Sequence, residues 1–267
     1  MNIKYIRYNS INEFLNKINV SEEVKHFGQS NNKTSSMFND TKTFQEAYDN
    51  TKYGKNKKID LDIFNKFNKD FSKFENKIKI RKDVVGQQPI VANYIIGNPR
   101  SMYRKAKTIQ KKKILNIGLI SGSVAFYSTS EMVKSAINNF KIIKVLESKG
   151  FKCNVNVLIF NEIYGDGYHF EEIKIKDASE RFNIIKMVNP LCSSSFFRRI
   201  WFRHQEVVYD DYRYGKTLYW KEAKEVIKKS KIKYDYVLPN AQNTKINLSD
   251  EMLINDFEKT LEAYCLK

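Results

Sequence analysis

The sequence predicts an α/β protein: a mostly parallel sheet with helices on both faces and one antiparallel edge hairpin, preceded by a basic, mainly helical N-terminal part. Three observations lead there. Between Lys113 and Glu162 the chain writes a complete strand–loop–helix–strand unit. An apolar strand from Ile114 to Ile120 enters Ser121-Gly122-Ser123, a helix follows and stops at Gly150, and a second strand runs from Asn154 to Phe160. Next, Asn154–Tyr164 and Tyr168–Lys176 alternate in part and flank Gly165-Asp166-Gly167, a good hairpin turn. Finally, helical patterns at Ala178–Val188, Pro190–His204 and Thr217–Lys229 precede a buried strand, Lys233–Leu238, closed by Pro239. Parallel strands need crossovers, and these helices supply them.

The N-terminal part, residues 1–112, reads differently from the α/β domain expected over 113–267. Ser10-Ile11-Asn12-Glu13 and Thr43-Phe44-Gln45-Glu46 are capping-box patterns opening helices, the first over Ile11–Lys17 and the second stopping at Gly54. Gly28–Ser36 is polar and reads as loop. Leu61, Phe64, Phe67, Phe71 and Phe74 recur at helical spacing, as the core-facing side of a helix does. Pro89 suits a first helical turn, Gly97 a stop and Pro99 a new start. At the other end, Asn247–Cys265 carries an amphipathic pattern with Ser249 as N-cap.

With 42% hydrophobic and 13% aromatic residues, 267 residues can bury a sizeable core. Three widely spaced cysteines (Cys153, Cys192, Cys265) form no Cys-x-x-Cys pair, and the three histidines form no metal-spaced cluster. They read as buried thiols in a reducing compartment rather than a disulfide or zinc framework. No apolar run reaches the roughly 20 residues of a membrane span, and Lys4 and Arg7 among Asn and Tyr lack a signal-peptide core. The expectation is a soluble, intracellular protein.

The net charge is +17. Residues 1–112 hold 23 basic and 11 acidic side chains, net +12, against 24 and 19, net +5, in the remainder. The densest patch carries Arg100, Arg104, Lys105, Lys107, Lys111, Lys112 and Lys113 with no acid. Such a field attracts phosphate backbones or acidic protein surfaces. The alternative is a solvated basic surface, since 38 Lys against 9 Arg is the bias of an AT-rich genome, and dedicated phosphate readers favour Arg.

Two further places can carry chemistry. Ser121, Gly122 and Ser123 can cradle an anion at a helix N-terminus, though they lack the glycines of a dinucleotide fingerprint and the lysine of a P-loop. The plain alternative is a structural turn. In Phe196–His204, Arg198, Arg199 and Arg203 beside Trp201 can grip phosphate or stack on bases; alternatively Phe197, Ile200, Trp201 and His204 form the buried face of a helix whose arginines meet Glu206, Asp210 or Asp211. The spacing of His204, Glu206, Asp210 and Asp211 fits no established catalytic or metal pattern, and His169 reads as a surface strand residue. No catalytic residue, metal or cofactor is expected.

Two resemblances follow from these residues. Strand, Ser-Gly-Ser loop, helix and antiparallel hairpin resemble the von Willebrand factor A fold, whose first strand ends in Asp-x-Ser-Gly-Ser, with the Asp and both Ser helping to hold a divalent metal. Here Leu119-Ile120-Ser121-Gly122-Ser123 matches at Ser121 and Ser123 but has Leu119 in place of the Asp. The resemblance therefore implies a degenerate copy without the metal's main charged ligand. The second spans roughly residues 38–206. Thr41–Ala47 with Tyr53-Gly54, Pro89–Met102, and Asn189-Pro190-Leu191 running into Arg198–Phe202 resemble an uncharacterised family of phages and bacteria. It implies a phage or mobile-element origin more than a mechanism, and with it a place in the host cytoplasm or the virion. The leading expectation is a non-enzymatic accessory protein that contacts nucleic acid or an acidic partner through its basic residues; the alternative is a virion-assembly or protein-interaction module. An enzyme acting on a nucleotide or phosphorylated ligand at Ser121–Ser123 is the third possibility.

Overall fold

A computed structural model describes residues 2–21, 23, 25–31, 40–54, 79–106, 113–122, 128–148, 150–163, 165 and 167–239. The expected helices at 60–77 and 247–265 lie outside them, as do Lys107, Lys111, Lys112, Ser123 and Cys265.

The expected strand–helix–strand unit is present. β5 (Ile114–Ser121) and β6 (Lys152–Ile163) pair in parallel from Ile114↔Lys152 to Ser121↔Ile159, with α4 (Thr129–Ser148) between them. Both strands are nearly continuous in buried residues because helices cover both faces. Ser128 caps α4: its hydroxyl accepts from Glu131 N, 3.3 Å, while Glu131 Oε2 accepts from Ser128 N, 2.8 Å. At the other end Phe151 N donates to Leu146 O and Gly150 N to Glu147 O, the paired bonds of a Schellman stop.

β7 (Gly167–Lys176) returns antiparallel to β6. It is not the edge. β1 (Ile3–Tyr8) pairs in parallel with β7 along its length, from Ile3↔Tyr168 to Tyr8↔Ile173. Gly167 makes room for this: a Cβ there would lie 2.2 Å from the Asn2 carbonyl oxygen, which accepts from Tyr168 N. On the far side β9 (Tyr236–Leu238) joins β5 in parallel, giving the order β1-β7-β6-β5-β9, with the short β8 (Lys216–Thr217) antiparallel to the end of β6. The hairpin expected at the edge thus lies inside the sheet, and the sheet crosses the expected 112/113 border.

One core packs α1 (Ile11–Ile18), α2 (Phe44–Tyr53), α4 and α5 (Ile184–Cys192) on one face; α7 (Trp220–Ser230) packs the other through Ala223, Val226 and Ile227. Ser10 and Thr43 cap α1 and α2 as the capping boxes predict. α5 starts later than expected because the Asp177 side chain accepts from Ser179 N and Oγ, folding 177–180 into a turn. It then continues through Pro190 instead of breaking there. α6 is a wide helix: a π-helical stretch Phe196–Trp201, an α-helical Phe202–His204 and a second π-helical stretch Gln205–Tyr209. A separate three-stranded sheet pairs β2 (Lys79–Asp83), β4 (Met102–Ala106) and β3 (Gln88–Pro89), with α3 (Val91–Ile95) between β3 and β4. After Pro99 the chain is therefore a strand and not the expected short helix. Among the described residues no helix is long and apolar enough to cross a membrane.

Candidate functional site

Residues 79–106 form a surface that the apolar pattern alone does not explain. β2 and β4 pair from Lys79↔Ala106 to Asp83↔Met102, and Asp83 Oδ1 accepts from Val84 N at the turn. Ile90 N bonds Ser101 O at 2.7 Å, which ties the two ends of α3 together. Asn98 Oδ1 accepts from Arg100 N, and Asn93 Nδ2 donates to Arg100 O. On this frame Val84, Val85, Val91, Tyr94, Ile95, Ile96 and Tyr103 are exposed, the last at 38% and the others at 62–75%. They are seven of the twelve exposed large apolar side chains among the described residues. Leaving each in water forgoes about 1.5–3 kcal/mol of burial. Concentrations of exposed apolar surface of this kind mark interaction sites.

The stretch is strongly basic, with six Lys and Arg against one acid over residues 79–106 and ten against one by Lys113. Arg100, Arg104 and Lys113 are exposed, and Lys105 stands opposite Ile80 in β4. Asp83 meets Arg104 at 3.5 Å, a surface pair of little energetic weight.

The other predicted residues are used differently. Ser121 is buried, and its hydroxyl donates to the carbonyl of Pro190, one of the last carbonyls of α5 without a helical partner. At Gly122 (φ 109°) a Cβ would lie 2.9 Å from Thr217 Cγ2 and 3.4 Å from Phe197 Cε1, so that end of the loop is closed by packing. Leu119, where the von Willebrand motif has its Asp, is fully buried. With an apolar side chain there and the Ser121 hydroxyl already engaged, these residues do not fit the metal of that motif. Among the described residues no group of three or more His, Cys, Asp or Glu is placed to hold an ion.

Arg199 and Arg203 correct the expectation of an arginine surface: they are 1% and 2% exposed. Arg199 donates to Thr41 Oγ1 (3.1 Å), Lys42 O (3.0 Å) and Ser30 O (3.3 Å). Arg203 lies between the rings of Phe27 and Phe44, at 3.3 and 3.8 Å, with Ser30 Oγ at 3.0 Å and Glu206 at 3.8 Å. Beside them Asp40 accepts from Ser193 Oγ, Ser194 Oγ and Ser195 N, clamping residues 40–44 onto the start of α6. Arg198 is half-buried over Phe202.

Under the second half of α6 lies a buried acid–base layer that sequence reasoning missed. Glu171 and His204 are fully buried, and His169, expected at the surface, is 3% exposed. Glu171 accepts from Trp201 Nε1 and Gln205 Nε2, both at 3.4 Å, and Gln205 Oε1 meets His169 Nδ1 at 2.9 Å. His204 Nε2 bonds the Tyr8 hydroxyl at 2.6 Å, while its Nδ1 stands 3.7 Å from Glu171, too far for a hydrogen bond. Burial raises the Glu171 carboxyl to about 8 and, with His169 and Lys17 adding repulsion, lowers His204 to about 3. Both are therefore neutral at pH 7. Glu206, Asp210 and Asp211 do not join them: Glu206 holds Ser30 and Tyr214, Asp210 pairs with Lys25, and Asp211 with Arg213. The available signal was the pair Glu171-Glu172 inside an otherwise β-rich run, which puts one carboxylate on each face of the sheet.

A family model described as a domain of unknown function (DUF7192) matches residues 2–264. The chain belongs to this family. No curated protein and no solved structure matches it. The DUF7192 match spans both the main sheet and the 79–106 segment, so the exposed surface lies within the family's domain.

Proposed function

We propose that the chain is a non-enzymatic accessory protein, of the phage type its resemblance implies, that docks on an acidic protein surface through residues 79–106. The observation that carries this reading is the coincidence, in one small sheet and its helix, of exposed Val84, Val85, Val91, Ile95 and Ile96 with Arg100 and Arg104. Protein interfaces combine an apolar centre with a charged rim. Single-stranded nucleic acid is held by stacking on aromatic rings, which none of the five aliphatic positions around Tyr94 offers. The basic excess then selects acidic partners and speeds encounter. The order of β5, α4, β6 and β7 supports a von Willebrand A-like scaffold behind this surface, one in which Leu119 has replaced the metal's acid.

Fluorescence anisotropy tests the reading with a labelled peptide alternating acidic and aliphatic residues, and with single-stranded and duplex oligonucleotides. Peptide binding that persists at physiological salt, and that is abolished by Ile95→Ser with Ile96→Ser, is expected. Oligonucleotide binding that disappears with salt and ignores those substitutions would leave only a phosphate-attracting charge and overturn it.

A further inference from the structure

A groove of about 510 Å³ opens at the carboxyl ends of β1 and β7, between the β1–α1 turn and the end of α2. Ligands of open α/β sheets gather outside the carboxyl ends of parallel strands, and β1 and β7 are a parallel pair ending here. The volume lies in the range of small-molecule sites. At the Ser121 end of the sheet, Thr217 and Phe197 pack close to Gly122.

The charges around the groove do not cancel. Four lysines line it, Lys52, Lys174, Lys176 and Lys186, with two acids, Asp177 and Glu180. Both acids are engaged by their own turn: Asp177 accepts from Ser179 N, and Glu180 from Asp177 N at 3.1 Å. Lys176 is buried against Cys153 O and Glu147, and Lys174 is paired with Asp177. Two ammonium groups remain for a ligand. Lys52 lies over the rings of Tyr48 and Tyr53, 5.8 and 5.4 Å from their centroids, with no carboxylate partner among the described residues. Lys186, half-exposed, reaches Glu180 only at 3.8 Å. At the start of α1 two amides are engaged, Glu13 N by Ser10 Oγ and Asn9 N by Glu13 Oε2. The positive charge offered to a ligand comes from the side chains.

We infer that this groove binds a small phosphate monoester, its phosphate held by Lys52 and Lys186 and its organic part resting on Ile11, Ile175 and Tyr53. Lysine holds phosphate as a point charge, whereas a planar carboxylate is matched by the fork of arginine, and no arginine lines the groove. The site is separate from residues 79–106, so its fate and that of the docking surface are independent.

Titration calorimetry on the full chain decides it, with ribose 5-phosphate, adenosine monophosphate, inorganic phosphate, adenosine and glutarate as probes. At least one monoester is expected to bind about tenfold or more tightly than inorganic phosphate, with adenosine silent. Lys52→Met and Lys186→Met should each weaken that binding about tenfold while the unliganded thermal midpoint stays put, since both side chains are exposed. Lys82→Met, outside the groove, should leave it unchanged. No heat with either monoester, glutarate binding as well as the monoesters, or full binding in both groove variants each overturns the assignment.

Discussion

Arg199 and Arg203 sit in the interior at 1% and 2% exposure, each surrounded by acceptors or rings, while Arg100 and Arg104 stand in water beside exposed valines and isoleucines. The side-chain chemistry is the same and the neighbourhoods are opposite. A run such as Phe196–His204, with arginines spaced among large apolar residues, turns them inward when backbone carbonyls of another segment need donors; here those carbonyls are Ser30, Thr41 and Lys42. Arg100 is exposed, with no side-chain hydrogen bond among the described residues, and its apolar neighbours Val91, Ile95 and Ile96 are exposed too. Charge count alone cannot separate the two cases. Burial of the neighbours does.

The largest effect that tests this contrast is Arg199→Met. It removes the donors to three carbonyls and to Thr41 Oγ1, and should destabilise the protein by about 3–5 kcal/mol in urea unfolding, the cost of leaving several acceptors in the interior without partners. A loss below about 1 kcal/mol would mean that Ser30, Thr41 and Lys42 are not held by this arginine.

Next in size is the pH dependence of the buried layer. Glu171 has its carboxyl raised to about 8 against an ordinary value near 4.5. A raised acid contributes stability that is complete below about 4.5 and is lost as pH rises through about 8. His204, lowered to about 3 from 6.5, contributes stability that is present above 6.5 and lost as pH falls through 3. From pH 6.5 to 8, then, Glu171 acts without His204, and stability should fall by up to about 1.4 kcal/mol per pH unit. Glu171→Gln, which cannot ionise, should flatten that slope whatever constant cost it adds. Urea midpoints at pH 6.5, 7.2 and 8 read it directly, and an unchanged slope in the variant would assign the titration elsewhere. Tyr8→Phe is smaller: it strips His204 Nε2 of its partner, for about 1–3 kcal/mol with no change in slope.

The parts of this fold set by local pattern were legible in the sequence. The β5–α4–β6 unit, the Gly165 turn, both capping boxes and α7 appear close to where periodicity and caps put them. What was illegible depends on distant partners. β1 reads as polar because as an edge strand it leaves Lys4, Tyr5 and Arg7 exposed, and only its pairing with β7 makes it a strand. Glu171 looks like a surface acid until Trp201 and Gln205 arrive from α6. Arg199 and Arg203 carry the charge expected of a binding surface, yet their acceptors are about 160 residues away in sequence. The exposed surface was half legible: its charge could be counted, whereas the exposure of Val84 and Ile95 depends on tertiary packing, which no periodicity encodes.

The smallest expected stability effect is the most discriminating for the contrast. Arg100→Ala together with Arg104→Ala removes two exposed guanidinium groups, one of them 3.5 Å from Asp83, and should change unfolding free energy by no more than about 0.5 kcal/mol. The same double variant should slow association with the acidic peptide several-fold at low salt and leave dissociation nearly untouched, because rim charges act on encounter more than on the bound state. Stopped-flow mixing separates the two rates. If dissociation carries the change instead, the arginines are buried in the complex as Arg199 is buried in the monomer, and the distinction between an inner and an outer arginine set holds only for the free protein.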